Sequence, residues 1–300
     1  MKRMIFATKG WKSLQKDYIS RDMQTFHLQK LYTFLQQDIS GYSFEEAIIH
    51  YGFISHAAMQ SRIAAYMQTE TFENAEYFFF LASKAKATSD KLWIANPHKQ
   101  PQQGQEIQLD CVLVAVMSGC TSDAIDMLDK TRMALEQEQK QSNKSRRDHQ
   151  QDEQRKEQIS LEIDVYKNLM QNNDEQVRQL LPKLEAVHYD VLFIQAVQAF
   201  LEQNSELFLE MLAQHMKEFR KNPYAGELNH FVLLMEALYQ KHNRLELLDL
   251  ADAPAAMLNL PECDPTLVEE KTGIVLPLFE VDEILKVIDK NKIGPKFKQY

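Results

Sequence analysis

Glycine is the residue this chain largely does without. Only eight of its 300 residues are Gly, where average usage would supply about 20. Strand-rich folds spend Gly on turns and bulges, and phosphate-cradling loops spend it where backbone must approach a ligand closely. The chain therefore reads as helical, with no material for a G-x-G-x-x-G or a P-loop. Apolar periodicity agrees. After Asp22, the residues Met23, Phe26, Leu31, Phe34 and Leu35 describe one stripe that ends near Gly41. Ser43-Phe44-Glu45-Glu46 has the spacing of a capping box, in which the serine caps an early amide and Glu46 reaches back. It opens a long helix through Ala47, Ile48, Tyr51, Ile54, Ala58, Ile63 and Tyr66, with a bend expected near Gly52. A third helix opens at Thr71 and carries Ala75, Phe78, Phe79, Ala82 and Ala85. Its aromatic run Tyr77-Phe78-Phe79-Phe80 reads as a helix buried on most of its circumference rather than as a pocket lining. Pro97, Pro101 and Gly104 mark a loop, Ile107–Met117 is an apolar helix, and Thr121 caps another that runs to Leu135.

Residues 136–158 contain no apolar side chain. Such a stretch cannot bury a face, so it is a polar linker or a solvated extension of the flanking helices. It divides the chain into an N-terminal helical half, 1–135, and a C-terminal helical half, 159–300, expected to form one compact unit. In the second half, Ile159–Met170, Glu175–Leu181, Leu184–Glu202, Glu206–Arg220 and Leu228–His242 read as amphipathic helices, with Asn204 and Ser205 as a cap. Prolines then interrupt the chain. Gly273-Ile274-Val275-Leu276 is too short for a sheet, and Glu280–Ile288 reads as a last short helix. The expected fold is all-α, an irregular multi-helix bundle or an array of antiparallel helical hairpins.

Charge is distributed unevenly. Residues 245–285 hold ten acids against one base, Lys271, while the whole chain carries a formal −9. The remaining residues balance to zero, so the imbalance sits in one segment. Leucines interspersed there fit an element packed on the body of the protein, and a structured acidic face suits docking to a cationic partner. The same balance argues against nucleic acid, which requires a basic surface.

Catalytic and metal-binding patterns are missing. Cys111, Cys120 and Cys263 are too few and scattered for a disulfide framework or zinc site, and read as free thiols. The nine histidines form no H-E-x-x-H, the chain has no Glu-x-x-His, and there is no G-x-S-x-G. The sequence predicts no catalytic residues, no metal and no cofactor. No apolar run is long enough to span a bilayer, and the N-terminus begins basic without an apolar h-region, so a cytoplasmic protein is expected.

The C-terminal half resembles the immunity protein 49 family of bacterial polymorphic toxin systems. The resemblance rests on Val191-Leu192-Phe193-Ile194-Gln195-Ala196-Val197-Gln198-Ala199-Phe200-Leu201, then Glu206-Leu207-Phe208-Leu209-Glu210-Met211-Leu212-Ala213. It continues in Leu228-Asn229-His230-Phe231-Val232-Leu233-Leu234-Met235-Glu236-Ala237-Leu238-Tyr239 and the acid-and-leucine-rich stretch that follows. What it implies is an all-α cytoplasmic protein without enzymatic activity that binds and neutralises a cognate toxin. The family names no toxin-binding residues to carry over. From the charge pattern, the expected partner-binding residues are Glu246, Asp249, Asp252, Glu262, Asp264, Glu269 and Glu270, and the expected partner is a basic toxin protein. The rival expectation is a tetratricopeptide-like adaptor or scaffold that binds peptides or proteins.

Overall fold

The computed structural model describes residues 16, 19–69, 73–97, 107–138, 146–187, 191–204, 206–208, 210–211 and 260–293. Among these residues it is all-α, with no strand. The helices are α1 (Met23–Leu35), α2 (Phe44–Thr69), α3 (Ala75–Ala95), α4 (Leu109–Met117), α5 (Thr121–Glu138), α6 (Arg146–Met170), α7 (Asp174–Ala186) and α8 (Val191–Leu201). After a 3₁₀ turn at Pro265–Leu267 come α9 (Val268–Thr272) and α10 (Val281–Val287). None is long and apolar enough to cross a membrane, among the described residues. The helix expected to open at Thr71 begins instead at Ala75, where the left-handed Asn74 sets its N-cap, and the predicted helix Leu228–His242 lies wholly outside the described residues.

Two compact units interleave along the sequence. The first contains α1, α2, α3, residues 114–127 and the C-terminal segment 260–293. Its α1 is capped by Asp22, whose carboxylate accepts the Thr25 amide at 3.4 Å. His27 and Leu31 form its buried stripe. Phe26, expected on that stripe, is 43% exposed instead. Helical rotation explains the exchange: His27 lies one turn before Leu31 on the same face, and Phe26 does not. The capping box at the head of α2 forms as the spacing predicts, with Glu46 accepting the Ser43 amide at 2.8 Å and Ser43 Oγ accepting the Glu46 amide at 3.2 Å. α2 then runs unbroken through Gly52. Small side chains let α3 come close there: Ser89 Oγ donates to the Ile48 carbonyl at 2.8 Å, and stands 3.9 Å from where a Cβ on Gly52 would be. Tyr77, Phe78, Phe79 and Phe80 are all buried, as a helix covered on most sides requires.

The second unit contains residues 107–113 and 128–211 of the described chain. Residues 146–158 of the apolar-free stretch are helical, the first turns of α6, and most of 153–158 is exposed. Further along α6, Ile163, Val165, Tyr166 and Leu169 are buried. Arg132 reaches the Asp164 carboxylate, and Lys167 pairs with Asp129 at 2.7 Å. Sequence placed a break between Leu181 and Leu184, yet α7 continues through Pro182 to Ala186. Proline costs the helix one backbone hydrogen bond. The buried series Val177, Leu180, Leu181 and Leu184 carries one apolar stripe across it, and that packing keeps the helix whole. Asn172 and Gln203 adopt left-handed conformations after α6 and α8. The next amides fold back, Asn173 to the Asn168 carbonyl and Asn204 to the Ala199 carbonyl, both at 2.9 Å, which closes each helix with a Schellman turn. The predicted cap at Asn204 is present, its side chain accepting the Leu207 amide at 3.1 Å.

Candidate docking surface

The acidic face is presented by residues 260–293, an extended strap with two short helices. Four apolar side chains anchor it: Val268, Ile274, Ile284 and Ile288 are buried. Between these anchors, helix side chains hold the strap by its backbone. Tyr32 Oη donates to the Thr272 carbonyl at 3.2 Å, Asn74 Nδ2 to Lys271 at 3.3 Å and Thr88 Oγ1 to Phe279 at 3.1 Å. The Tyr51 hydroxyl donates to the Leu278 carbonyl, and burial raises its pKa. At the far end the Gly41 amide donates to the Val287 carbonyl at 3.0 Å and the Asp289 amide to that of Tyr42 at 2.8 Å. Lys292 donates to Glu46 of the capping box at 2.7 Å. That bond, with the Ser43 amide, holds the Glu46 carboxyl below its ordinary pKa.

A strap held by its carbonyls and a few aliphatic residues leaves its other side chains to solvent. Of the predicted docking residues, Glu262, Asp264, Glu269 and Glu270 are exposed on it. Glu262 lays its side chain against the turn at Gly119. Asp264 caps the 3₁₀ turn, accepting the Thr266 hydroxyl at 2.7 Å and its amide at 3.0 Å, and these bonds lower its pKa. Glu269 and Glu270 ride on α9, where Glu270 pairs with Lys271 at 3.0 Å. Glu246, Asp249 and Asp252 lie outside the described residues. Glu280, Asp282 and Glu283 extend the acidic surface along the strap, alongside Val275 and Leu278, which are 67% and 49% exposed.

The strap is less negative than the 245–285 window suggests. Residues 260–293 carry eight acids and four lysines. Lys286 and Lys292, both beyond that window, bind Glu283 and Glu46.

Sequence reasoning did not foresee the ion-pair cluster beside the strap. Lys84 binds Asp123 at 2.9 Å, and Lys91 binds Asp126 at 2.9 Å while standing 3.9 Å from Asp123. Burial opposes the Lys84 charge, but Asp123 outweighs it and its pKa is raised. Lys84, Lys91 and Asp123 line a cavity of about 180 Å³ with Thr88, Glu280 and Asp282. Lys84, Thr88 and Lys91 share one face of α3 by their spacing, which is the one sequence signal available for it. The cavity's lysines are committed to Asp123 and Asp126, ion pairs that tie the start of α5 to α3. Among the described residues no three His, Cys, Asp or Glu converge as metal ligands would.

Comparison with family models, curated proteins and solved structures finds no match for the chain.

Proposed function

We propose that this protein is a cytoplasmic immunity protein that neutralises a cognate basic toxin by stoichiometric binding through its acidic strap. The observation that carries the reading is the segregation of charge: residues 245–285 hold the whole formal charge of the chain. The strap's architecture supports it. Carboxylates at Glu262, Asp264, Glu269 and Glu270 stand outward on a backbone tied down at several points, and a preorganised charged surface speeds encounter with an oppositely charged partner. Exposed Val275 and Leu278 offer apolar contact within the same surface.

The test uses the protein encoded by the adjacent upstream gene as the binding partner. Expected is one-to-one association whose rate falls with added salt. Replacing Asp264, Glu269 and Glu270 by lysine, exposed positions that leave the strap's anchors intact, should slow association by roughly tenfold or more and weaken protection of cells that express the partner. Unchanged association and protection in that triple variant would remove the acidic strap as the docking surface.

A further inference from the structure

We propose that Cys120 and Cys263 are the two halves of a reversible disulfide that fastens the strap to the turn between α4 and α5. The chain holds only three cysteines, and the fold brings two of them, far apart in sequence, into one neighbourhood. α4 ends in a Schellman turn: Gly119, with φ +79°, donates to the Val116 carbonyl, and the Cys120 amide folds back to Ala115 at 2.8 Å. The turn is pressed against the strap at the residue before Cys263. A Cβ on Gly119 would stand 3.2–3.3 Å from the Glu262 side chain, closer than ordinary contact. The residues that immediately precede the two cysteines are therefore neighbours in space.

The electrostatics agree with that proximity. Burial is the main influence that pushes Cys263 up to about 12, and the second is Cys120, ahead of both Glu76 and Asp264, its own chain neighbour. Cys120 is buried, and its pKa is raised by that burial and by Asp123 against the opposing charge of Lys84. Cys263 is partly exposed whereas Cys120 is buried, so Cys263 is the point of entry for an oxidant. Cys111 belongs to the other compact unit and supplies an internal control.

With hydrogen peroxide as oxidant the chemistry closes in two steps. The Cys263 thiolate attacks one peroxide oxygen, the O–O bond breaks, and hydroxide leaves a sulfenic acid on Cys263. Cys120 sulfur then attacks that sulfur; the sulfenic hydroxyl departs with the Cys120 proton as water, and the S–S bond forms. Two thiols and one peroxide yield one disulfide and two waters. Once closed it ties the lead-in to α9, with Glu262 and Asp264, to the body of the unit by a covalent bond. The proposal is independent of what the acidic face binds.

The test uses the native chain, exposed to hydrogen peroxide, quenched with catalase, alkylated under denaturing conditions and digested without reductant. Mass spectrometry is expected to find the Cys120 and Cys263 peptides joined, two hydrogens lighter than their sum, and separated by dithiothreitol, with Cys111 alkylated. Limited proteolysis of the strap should slow on oxidation, and Cys263→Ser should abolish the slowing. Full alkylation of Cys120 after prolonged oxidation, a linked peptide containing Cys111, or overoxidation of Cys263 without linkage would each overturn it. A linkage that leaves the rate of strap cleavage unchanged would overturn the fastening role.

Discussion

The α2–α3 helix pair and the 260–293 strap belong to the same compact unit and are held by different physics. α2 and α3 bury side chains on most of their circumference, Phe79 and Tyr51 among the most enclosed, and they approach closely where Gly52 faces Ser89. The strap buries a few aliphatic side chains and is held in between through backbone carbonyls that accept from Tyr32, Tyr51, Asn74 and Thr88, with the Asp289 amide and the Lys292 side chain fastening its far end. Side-chain identity is thus constrained at nearly every position of the helix pair. In the strap a carbonyl grip is indifferent to which residue supplies the carbonyl, so the outward positions are free to be acidic. The comparison shows how one unit combines a tightly specified core with a surface whose charge can be set separately.

Four measurements bear on that contrast. Phe79→Ala should cost about 3–5 kcal/mol of global stability in urea denaturation, as loss of a buried ring does; a cost no larger than that of a strap substitution would break the distinction. Ile284→Ala is expected to cost about 2–3 kcal/mol, read by the same denaturation and by faster hydrogen exchange across 281–288. If its exchange effect spread evenly through α2 and α3, strap and helix pair would be a single cooperative element. Tyr51→Phe, which removes the donor to Leu278, should cost on the order of 1 kcal/mol, with faster exchange or proteolysis concentrated around residues 276–280. No local effect there would show that the carbonyl grip contributes nothing.

The smallest effect concerns pH and the α1–α2 contact. Burial lowers the pKa of His27, helped by His56 and Lys30, and burial alone lowers that of His50, whose ring meets Phe34, Tyr42 and Tyr51 edge-on. Both are depressed below the ordinary 6.5, so the unfolded chain takes up protons first. Their contribution is complete above that value and is lost as pH falls below it. Melting temperature should drop between about pH 7 and 5, and less so in His50→Phe. An equal drop in both proteins would locate the titration elsewhere.

Much of the first unit was legible because its signals are local. The capping box at Ser43–Glu46 needs only residues three apart, and the aromatic run of α3 declares a buried helix by density alone. Misreadings came where two local rules competed. Phe26 is the more apolar residue, but the helical period gives the buried place to His27. Pro182 is a helix breaker by itself, but the leucine stripe on either side outweighs it. At the candidate docking surface, the acids of 260–285 could be named, but not their neighbours: Lys286 and Lys292 lie beyond the window that defined the charge, and Lys84 and Lys91 belong to a distant helix.

The sequence by itself determined an all-α chain, most helix termini, and the concentration of acid in one segment, since each follows from spacing or composition over a few turns. Only the tertiary structure decided that 260–293 lies on α2 and α3, that carbonyls as well as a few aliphatic side chains hold it there, and that the turn before Cys120 meets the strap just before Cys263. Those contacts join residues widely separated along the chain. The donors involved, Tyr51, Thr88 and Asn74, are ordinary helix or helix-end residues until a strap arrives with a carbonyl to receive them.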